Sequence, residues 1–166
     1  MYNKLMTCLA SVKEKIDFQP ETAIILGSGL GDYADGIKIV DTIEYSDIEG
    51  FPVSTVKGHK GRFVFGYVGE TPVVIMQGRV HYYEGYPMQE VVLPTRLMGM
   101  LGAKKLLLTN AAGGVNEMFQ PGDFMMITDH ITTAVPSPLI GSNIEELGTR
   151  FPDMSEEYSA RLRNVI

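Results

Sequence analysis

Three short apolar segments of this chain each run directly into a loop rich in glycine, and this pairing constrains the fold more than any other feature. The segments and their loops are TAIIL at 22–26 before GSGLG at 27–31, PVVIMQ at 72–77 before GRVHYYEG at 78–85, and KKLLLT at 104–109 before NAAGG at 110–114. Short apolar runs bounded by glycine are typical of buried strands. Mixed with helical segments, they predict an α/β fold with a mixed central sheet flanked by helices. Ligands in such folds bind at the carboxyl ends of strands.

Other segments complete the predicted elements. A helix over 4–17 follows from the spacing of Leu5, Leu9, Val12 and Ile16. A second helix over 88–101 must hold Pro94 in its first turn or kink there. The remaining predictions are strands at 37–43, 53–56, 62–68 and 123–128, a hairpin break at 69–70, and a helix that begins with Ser155 as its N-cap.

Length, charge and cysteine content exclude several classes of protein. The 166 residues fit one α/β domain over 1–166. A net charge of −6 disfavours a nucleic-acid partner, which would need a basic surface. The single cysteine, Cys8, excludes an internal disulfide, and three histidines leave little for a metal cluster. Without a signal peptide or an apolar run of roughly 20 residues, we expect a cytoplasmic protein with no membrane partner.

Two of the glycine-rich loops have a composition suited to binding an anion. In the loop at 27–31, Ser28 adds a hydroxyl to main-chain N–H groups that glycine leaves accessible. The loop that begins with Asn110 and Ala111 repeats this arrangement. Either loop could instead be a tight turn without a ligand. A dinucleotide site is a further alternative for 27–31, but Asp32 stands where its third glycine would be.

The loop at 78–85 carries the densest set of functional side chains. Arg79 and His81 lie two residues apart after a strand, so both can point the same way and hold an oxyanion. Glu84 can orient His81, and Tyr83 can hydrogen-bond a sugar hydroxyl. The alternative is a surface Arg–Glu pair with aromatic residues in the core. A fourth loop, GHKG at 58–61, holds His59 between glycines and is either a loop that covers a site or a plain exposed loop.

Taken together, these motifs resemble the trimeric purine nucleoside phosphorylases. The resemblance rests on GSGLG, GHKG, GRVHYYEG, TNAAGG and RFPDMS at 150–155, in this order and at these intervals. It covers about residues 20 to 160. It implies a phosphorylase/hydrolase-like α/β fold and phosphorolysis of purine nucleosides to the free base and ribose 1-phosphate. It also implies inorganic phosphate as co-substrate, no cofactor or metal, and a homotrimer.

The resemblance also implies a role for each matching residue. Ser28, Arg79, His81 and the Asn110–Ala111 backbone match phosphate-binding positions, and His81, Glu84 and His59 match catalytic ones. His59 and Tyr83 match positions that contact ribose. The remaining matches are Ala112 and Gly113, which line the base, and Phe151, which reaches into a neighbouring subunit.

Three other interpretations stay open at this stage. Members of the family are longer, so we expect this chain to be the amino-terminal portion of such a domain, with a sheet that is incomplete at the C-terminus. It could therefore be a non-catalytic fragment or association module that retains a phosphate half-site. A methylthioadenosine phosphorylase is the nearest catalytic alternative, but it usually carries a cysteine where this chain has AAGG at 111–114. A dinucleotide-binding protein rests on GSGLG alone.

Overall fold

The structure is a computed structural model that describes residues 1–54 and 60–166. The chain forms two compact units, Met1–Ala111 and Ala112–Ile166. The first contains the sheet and most of the helices, whereas the second is built largely of turns. A single domain over 1–166 stays a prediction.

A five-stranded mixed sheet forms the centre of the first unit, which confirms the predicted α/β fold. The strands lie in the order β2-β3-β4-β1-β5, with β1 parallel to both β4 and β5 and with β2, β3 and β4 antiparallel. Their bounds are β1 Thr22–Leu26, β2 Lys38–Glu44, β3 Arg62–Val68, β4 Thr71–Gln77 and β5 Lys105–Leu108.

Both faces of the sheet are buried because its central strands are apolar at nearly every position. One face packs Ile24, Leu26, Val64 and Ile75 against Ala34, which lies in a short 3₁₀ helix, Gly31–Asp35. The opposite face carries an aromatic cluster of Tyr45, Phe51 and Phe63, with ring centroids 4.9 to 5.4 Å apart. Alternate residues of a strand face opposite sides, so near-continuous apolar runs supply both layers of the core.

Helices pack as the sequence predicts over most of their length. The first, α1 Tyr2–Lys15, buries Leu5, Leu9 and Val12 on one face. The predicted helix over 88–101 is divided into α2 Met88–Val91 and α3 Leu93–Met100. The break lies at the start of α3 because Pro94 has no N–H to donate and its ring would clash with an earlier carbonyl.

The predicted strand at 123–128 is wrong, because no residue of 112–166 forms a strand. A strand needs a neighbour for its main-chain groups, and this unit supplies none. The segment instead begins with a turn, in which the Asp123 N–H donates to the Gln120 carbonyl and the Asp123 carboxylate accepts from the Gln120 N–H. The apolar side chains that suggested a strand are exposed, Phe124 by 89%.

Two other local predictions differ from the structure. Ser155 does not begin a helix, because its N–H and hydroxyl both donate to the Asp153 carboxylate in a local turn. The helix begins later, as α4 Ala160–Arg163, and Ser159 caps it by accepting from the Leu162 N–H. In the predicted strand at 53–56, Val53 and Ser54 are not in a strand, and the other two positions lie outside the described residues.

Within the part of the chain that the structure describes, every helix is too short or too polar to cross a membrane.

Candidate active site

The three glycine-rich loops leave the sheet side by side. In the parallel pair of β1 and β4, Leu26 is aligned with Gln77, so Gly27 and Gly78 follow at the same level. In the pair of β1 and β5, Ile25 is aligned with Leu108, and Thr109 follows. Neighbouring strands lie about 4.8 Å apart. The loops at 27–31, 78–85 and 109–111 therefore share the carboxyl edge that the sequence predicts to be the ligand site.

Close packing of Gly27 joins the first of these loops to the third. The Gly27 N–H donates to Thr109 Oγ1 at 2.8 Å, and that hydroxyl donates to the Ile25 carbonyl at 3.0 Å. A Cβ at residue 27 would lie 2.6 Å from both Asn110 Cα and the Thr109 carbonyl oxygen. Only glycine fits at this position, because the neighbouring atoms are main chain and cannot move aside.

The loop at 27–31 folds back on itself and leaves its middle exposed. The Leu30 N–H donates to the Gly27 carbonyl at 3.2 Å, and Gly29 has a φ of +84°, which favours glycine. Ser28 and Gly29 are exposed, whereas Gly27 is buried. Exposed main-chain N–H groups and a hydroxyl at a strand end form a suitable cradle for an oxyanion.

Arg79, His81 and Glu84 form a hydrogen-bonded group in the loop at 78–85. Glu84 Oε1 accepts from the His81 main-chain N–H at 2.7 Å and lies 2.8 Å from His81 Nδ1. Arg79 Nε donates to His81 Nε2 at 3.3 Å, so the hydrogen-bond network assigns the ring proton to Nδ1. The Glu84 side chain is only 2% exposed. The acid therefore fixes the orientation of His81 beside a guanidinium, as the sequence predicts.

Tyr83 lies over the same histidine. Its ring stacks on that of His81 with centroids 4.6 Å apart and an interplanar angle of 18°. Its side chain is nevertheless 74% exposed. An aromatic ring that is anchored on one face and open on the other can pack against a sugar.

The other predicted site residues lie in three places. Asn110 and Ala111 are exposed at the end of β5, and the Asn110 amide donates to the Ala111 carbonyl at 3.3 Å. Ala112, Gly113 and Phe151 belong to the second unit, where Phe151 is 84% exposed and lies under the Arg150 guanidinium. His59 lies outside the described residues. Among the described residues, no group of three or more acids, histidines and cysteines is placed to hold a metal ion.

Sequence reasoning missed three polar residues that hold the loops. They are Thr109 beside Gly27, the buried Gln77 at the end of β4, and the buried Tyr45. The Tyr45 hydroxyl donates to the Gly78 carbonyl at 2.5 Å. The first two carry a signal, since each is a polar residue that closes an otherwise apolar strand. Tyr45 carries none, because its partner is 33 residues away.

Replacing Tyr45 with phenylalanine is expected to lower the free energy of unfolding by about 1–3 kcal/mol, because the buried Gly78 carbonyl loses its donor. Burial raises the pKa of Tyr45 well above its ordinary value. The Tyr45 hydroxyl ionises near pH 10 in the unfolded chain but stays protonated at that pH in the folded one. The original chain therefore loses stability as the pH rises above 10. Urea unfolding should therefore show that the free energy of unfolding differs between the original chain and Tyr45→Phe by a constant amount near neutral pH. This difference should narrow above pH 10.

The control for this prediction is Tyr33→Phe, at a tyrosine that is 48% exposed. Its free energy of unfolding should stay within about 0.5 kcal/mol of the original. An equal loss of unfolding free energy in Tyr45→Phe and Tyr33→Phe would contradict the role given to the Tyr45 hydroxyl.

Comparison with known proteins gives consistent matches. A family model described as the phosphorylase superfamily matches residues 21–166. Purine nucleoside phosphorylase 1 of Geobacillus stearothermophilus is 56% identical over 154 residues, which are 93% of this chain and 56% of that protein. The Bacillus subtilis (strain 168) protein of the same name is 47% identical over 165 residues, 99% of this chain and 61% of that one. The chain thus spans little more than half the length of these curated relatives.

Solved structures match the fold as well. The crystal structure of Schistosoma mansoni purine nucleoside phosphorylase in complex with inosine aligns with a TM-score of 0.89 and 41% identity. The alignment covers 98% of this chain and 58% of that one. The fold of this chain is therefore similar to that of a protein solved in complex with inosine.

Proposed function

The chain belongs to the phosphorylase superfamily, and from this membership we propose that the protein splits purine ribonucleosides or deoxyribonucleosides with inorganic phosphate. The products are the free purine and ribose or deoxyribose 1-phosphate. One observation carries the proposal: three loops suited to an anion and a sugar share one sheet edge, and one of them presents Arg79 hydrogen-bonded to an oriented His81. The resemblance to purine nucleoside phosphorylases supports the same reading.

The proposed phosphate site draws on all three loops. Ser28 and the main chain around it, the main chain at Asn110 and Ala111, and the Arg79 and His81 side chains surround the phosphate. Hydrogen bonds from charged donors contribute roughly 1.5–3 kcal/mol each, so Arg79 is the main electrostatic contact. Glu84 keeps His81 in the orientation that this site requires.

The chemical step needs positioning and charge more than a reactive side chain. An oxygen of the hydrogen phosphate bonds to C1′ as the bond from C1′ to the base nitrogen breaks. The departing base takes the bonding electrons, and the proton that the hydrogen phosphate gives up ends on the base. C1′ carries positive charge between these events, and the bound phosphate dianion stabilises that charge. Phosphate is the co-substrate, and the residues named here supply no step that calls for a further cofactor.

Sugar, base and subunit contacts complete the proposal. Tyr83 packs on the ribose, and His59 acts near the phosphate and the ribose. Ala112 and Gly113 line the purine. Phe151, whose ring is 84% exposed, reaches into the site of a neighbouring subunit of a homotrimer. The cytoplasmic location stays a prediction.

Measurement of the free base released from a nucleoside tests the proposal directly. The purified 166-residue chain should release hypoxanthine from inosine only when phosphate is present, and Arg79→Ala should abolish most of this release. Lys13→Ala, at an exposed position on α1, is the control with unchanged turnover. Release from methylthioadenosine but not inosine would contradict the proposed substrate, and a folded sample that releases neither base would contradict phosphorolysis by this chain.

A further inference from the structure

Side chains at the ends of the two strands that flank β1 hold the ends of the loop at 27–31. At its start, Thr109 accepts from the Gly27 N–H. At its end, Gln77 Nε2 donates to the Gly31 carbonyl at 2.6 Å. Between these points, Gly29 adopts a left-handed conformation and the Leu30 side chain packs against the core. The hydrogen bonds from Thr109 and Gln77 add to this packing by holding the main chain at each end of the loop.

Gln77 is suited to this task because it is buried and its amide has a fixed orientation. The residue is 1% exposed, although it is polar and closes an apolar strand. Arg62 Nε donates to Gln77 Oε1 at 2.7 Å. Since the guanidinium can only donate, the amide must present its NH₂ group to the Gly31 carbonyl.

A chain of charged groups holds Arg62 in turn. Arg62 Nη2 lies 3.0 Å from Asp35 Oδ1, and Lys60 Nζ lies 2.6 Å from Asp35 Oδ2. The hydrogen bond from Lys60 lowers the pKa of Asp35, so its carboxylate stays charged. Asp35 ends the 3₁₀ helix that begins at Gly31. The same network thus contacts both ends of the helix that follows the loop.

We propose that Gln77 is a positioning residue that sets the geometry of the loop at 27–31 for binding an anion, with Arg62 fixing the orientation of its amide. This inference rests on the proposed function, in which that loop binds inorganic phosphate. Main-chain donors bind an anion well only when they are fixed in advance. Gln77 and Arg62 act on the phosphate through the loop and the amide, without touching it.

Calorimetric titration of the chain with inorganic phosphate provides the test. Gln77→Met keeps the length of the side chain but loses both hydrogen bonds, and we expect its Kd for phosphate to rise about tenfold. The matched control is Val74→Ala, a fully buried position on the same strand whose side chain faces the other side of the sheet. It should lower the Tm and leave the Kd unchanged at temperatures where the chain is folded.

A second variant gives a readout that a purely structural role would not move. Gln77→Glu keeps the acceptor for Arg62 but places a carboxylate oxygen against the Gly31 carbonyl and near Asp35. We expect its phosphate affinity, relative to the original chain at the same pH, to be weakened at pH 7.5. It should recover towards pH 5, because a protonated glutamate can again donate to that carbonyl.

The outcomes separate this inference from the proposed function. If the original chain binds no phosphate, the proposed function is contradicted, and with it the role of the loop as an anion site. If the original chain binds phosphate and both Gln77 variants bind it equally well at every pH, the positioning role alone is overturned. An equal rise in Kd in Val74→Ala would overturn it too, since the effect would then follow stability.

Discussion

Replacing Gly27 with alanine is expected to lower the free energy of unfolding by about 3 kcal/mol and, if the proposed function holds, to abolish phosphate binding. The added Cβ would lie 2.6 Å from Asn110 Cα and from the Thr109 carbonyl oxygen, and 2.9 Å from the Asn110 nitrogen. These atoms directly follow β5, so relief of the clash requires that the ends of β1 and β5 separate. That movement would also break the hydrogen bond from the Gly27 N–H to Thr109.

Gly31→Ala is the matched control, because it makes the same change in the same loop. No atom lies within 4 Å of a Cβ at residue 31. Urea unfolding should place this variant within about 0.5 kcal/mol of the original chain. Equal stability of the Gly27 and Gly31 variants would show that β1 and β5 do not approach as closely as described.

Removing the Glu84 carboxylate is the change with the second largest expected effect. Glu84→Ala leaves the His81 N–H and Nδ1 without their acceptor in a site where the acid is 2% exposed. We expect the free energy of unfolding to fall by about 2–3 kcal/mol. If the proposed function holds, kcat/KM for inosine should fall about 100-fold, since the ring is then free to turn away from Arg79.

Two further variants make this second prediction specific. Glu84→Gln keeps an oxygen that can accept from His81, so its loss of kcat/KM should be about tenfold. Glu70→Ala removes an exposed acid from the turn between β3 and β4. It should change neither the free energy of unfolding nor kcat/KM. If Glu84→Gln lowered kcat/KM as much as Glu84→Ala does, the charge of Glu84 would matter more than the orientation it gives to His81.

Local sequence patterns were sufficient to predict the parts of the fold that depend on residues close together in the chain. The segments at 22–26 and 72–77 are apolar at nearly every position and end at glycine, and both form strands at the centre of the sheet. The pairing of Arg79, His81 and Glu84 is equally local, since all three lie within six residues.

What could not be predicted depends on partners distant in the chain. The run at 123–128 has the composition of a strand, but composition does not show whether another strand lies beside it. Gln77 and Thr109 look like ordinary ends of strands until the sheet order places each beside the loop at 27–31. The donor that Tyr45 supplies to Gly78 follows from the burial of both residues, which only the fold reveals.

The position of β1 between β4 and β5 has a consequence for how the chain is made. Both partners of β1 come later in the sequence, so a growing chain exposes both edges of this apolar strand until residues 71–77 and 105–108 have been synthesised. Unpaired edges can pair with other chains, and long-range pairing slows folding. Gly27 and Thr109 meet only when β5 pairs with β1, so this edge of the sheet forms late in folding.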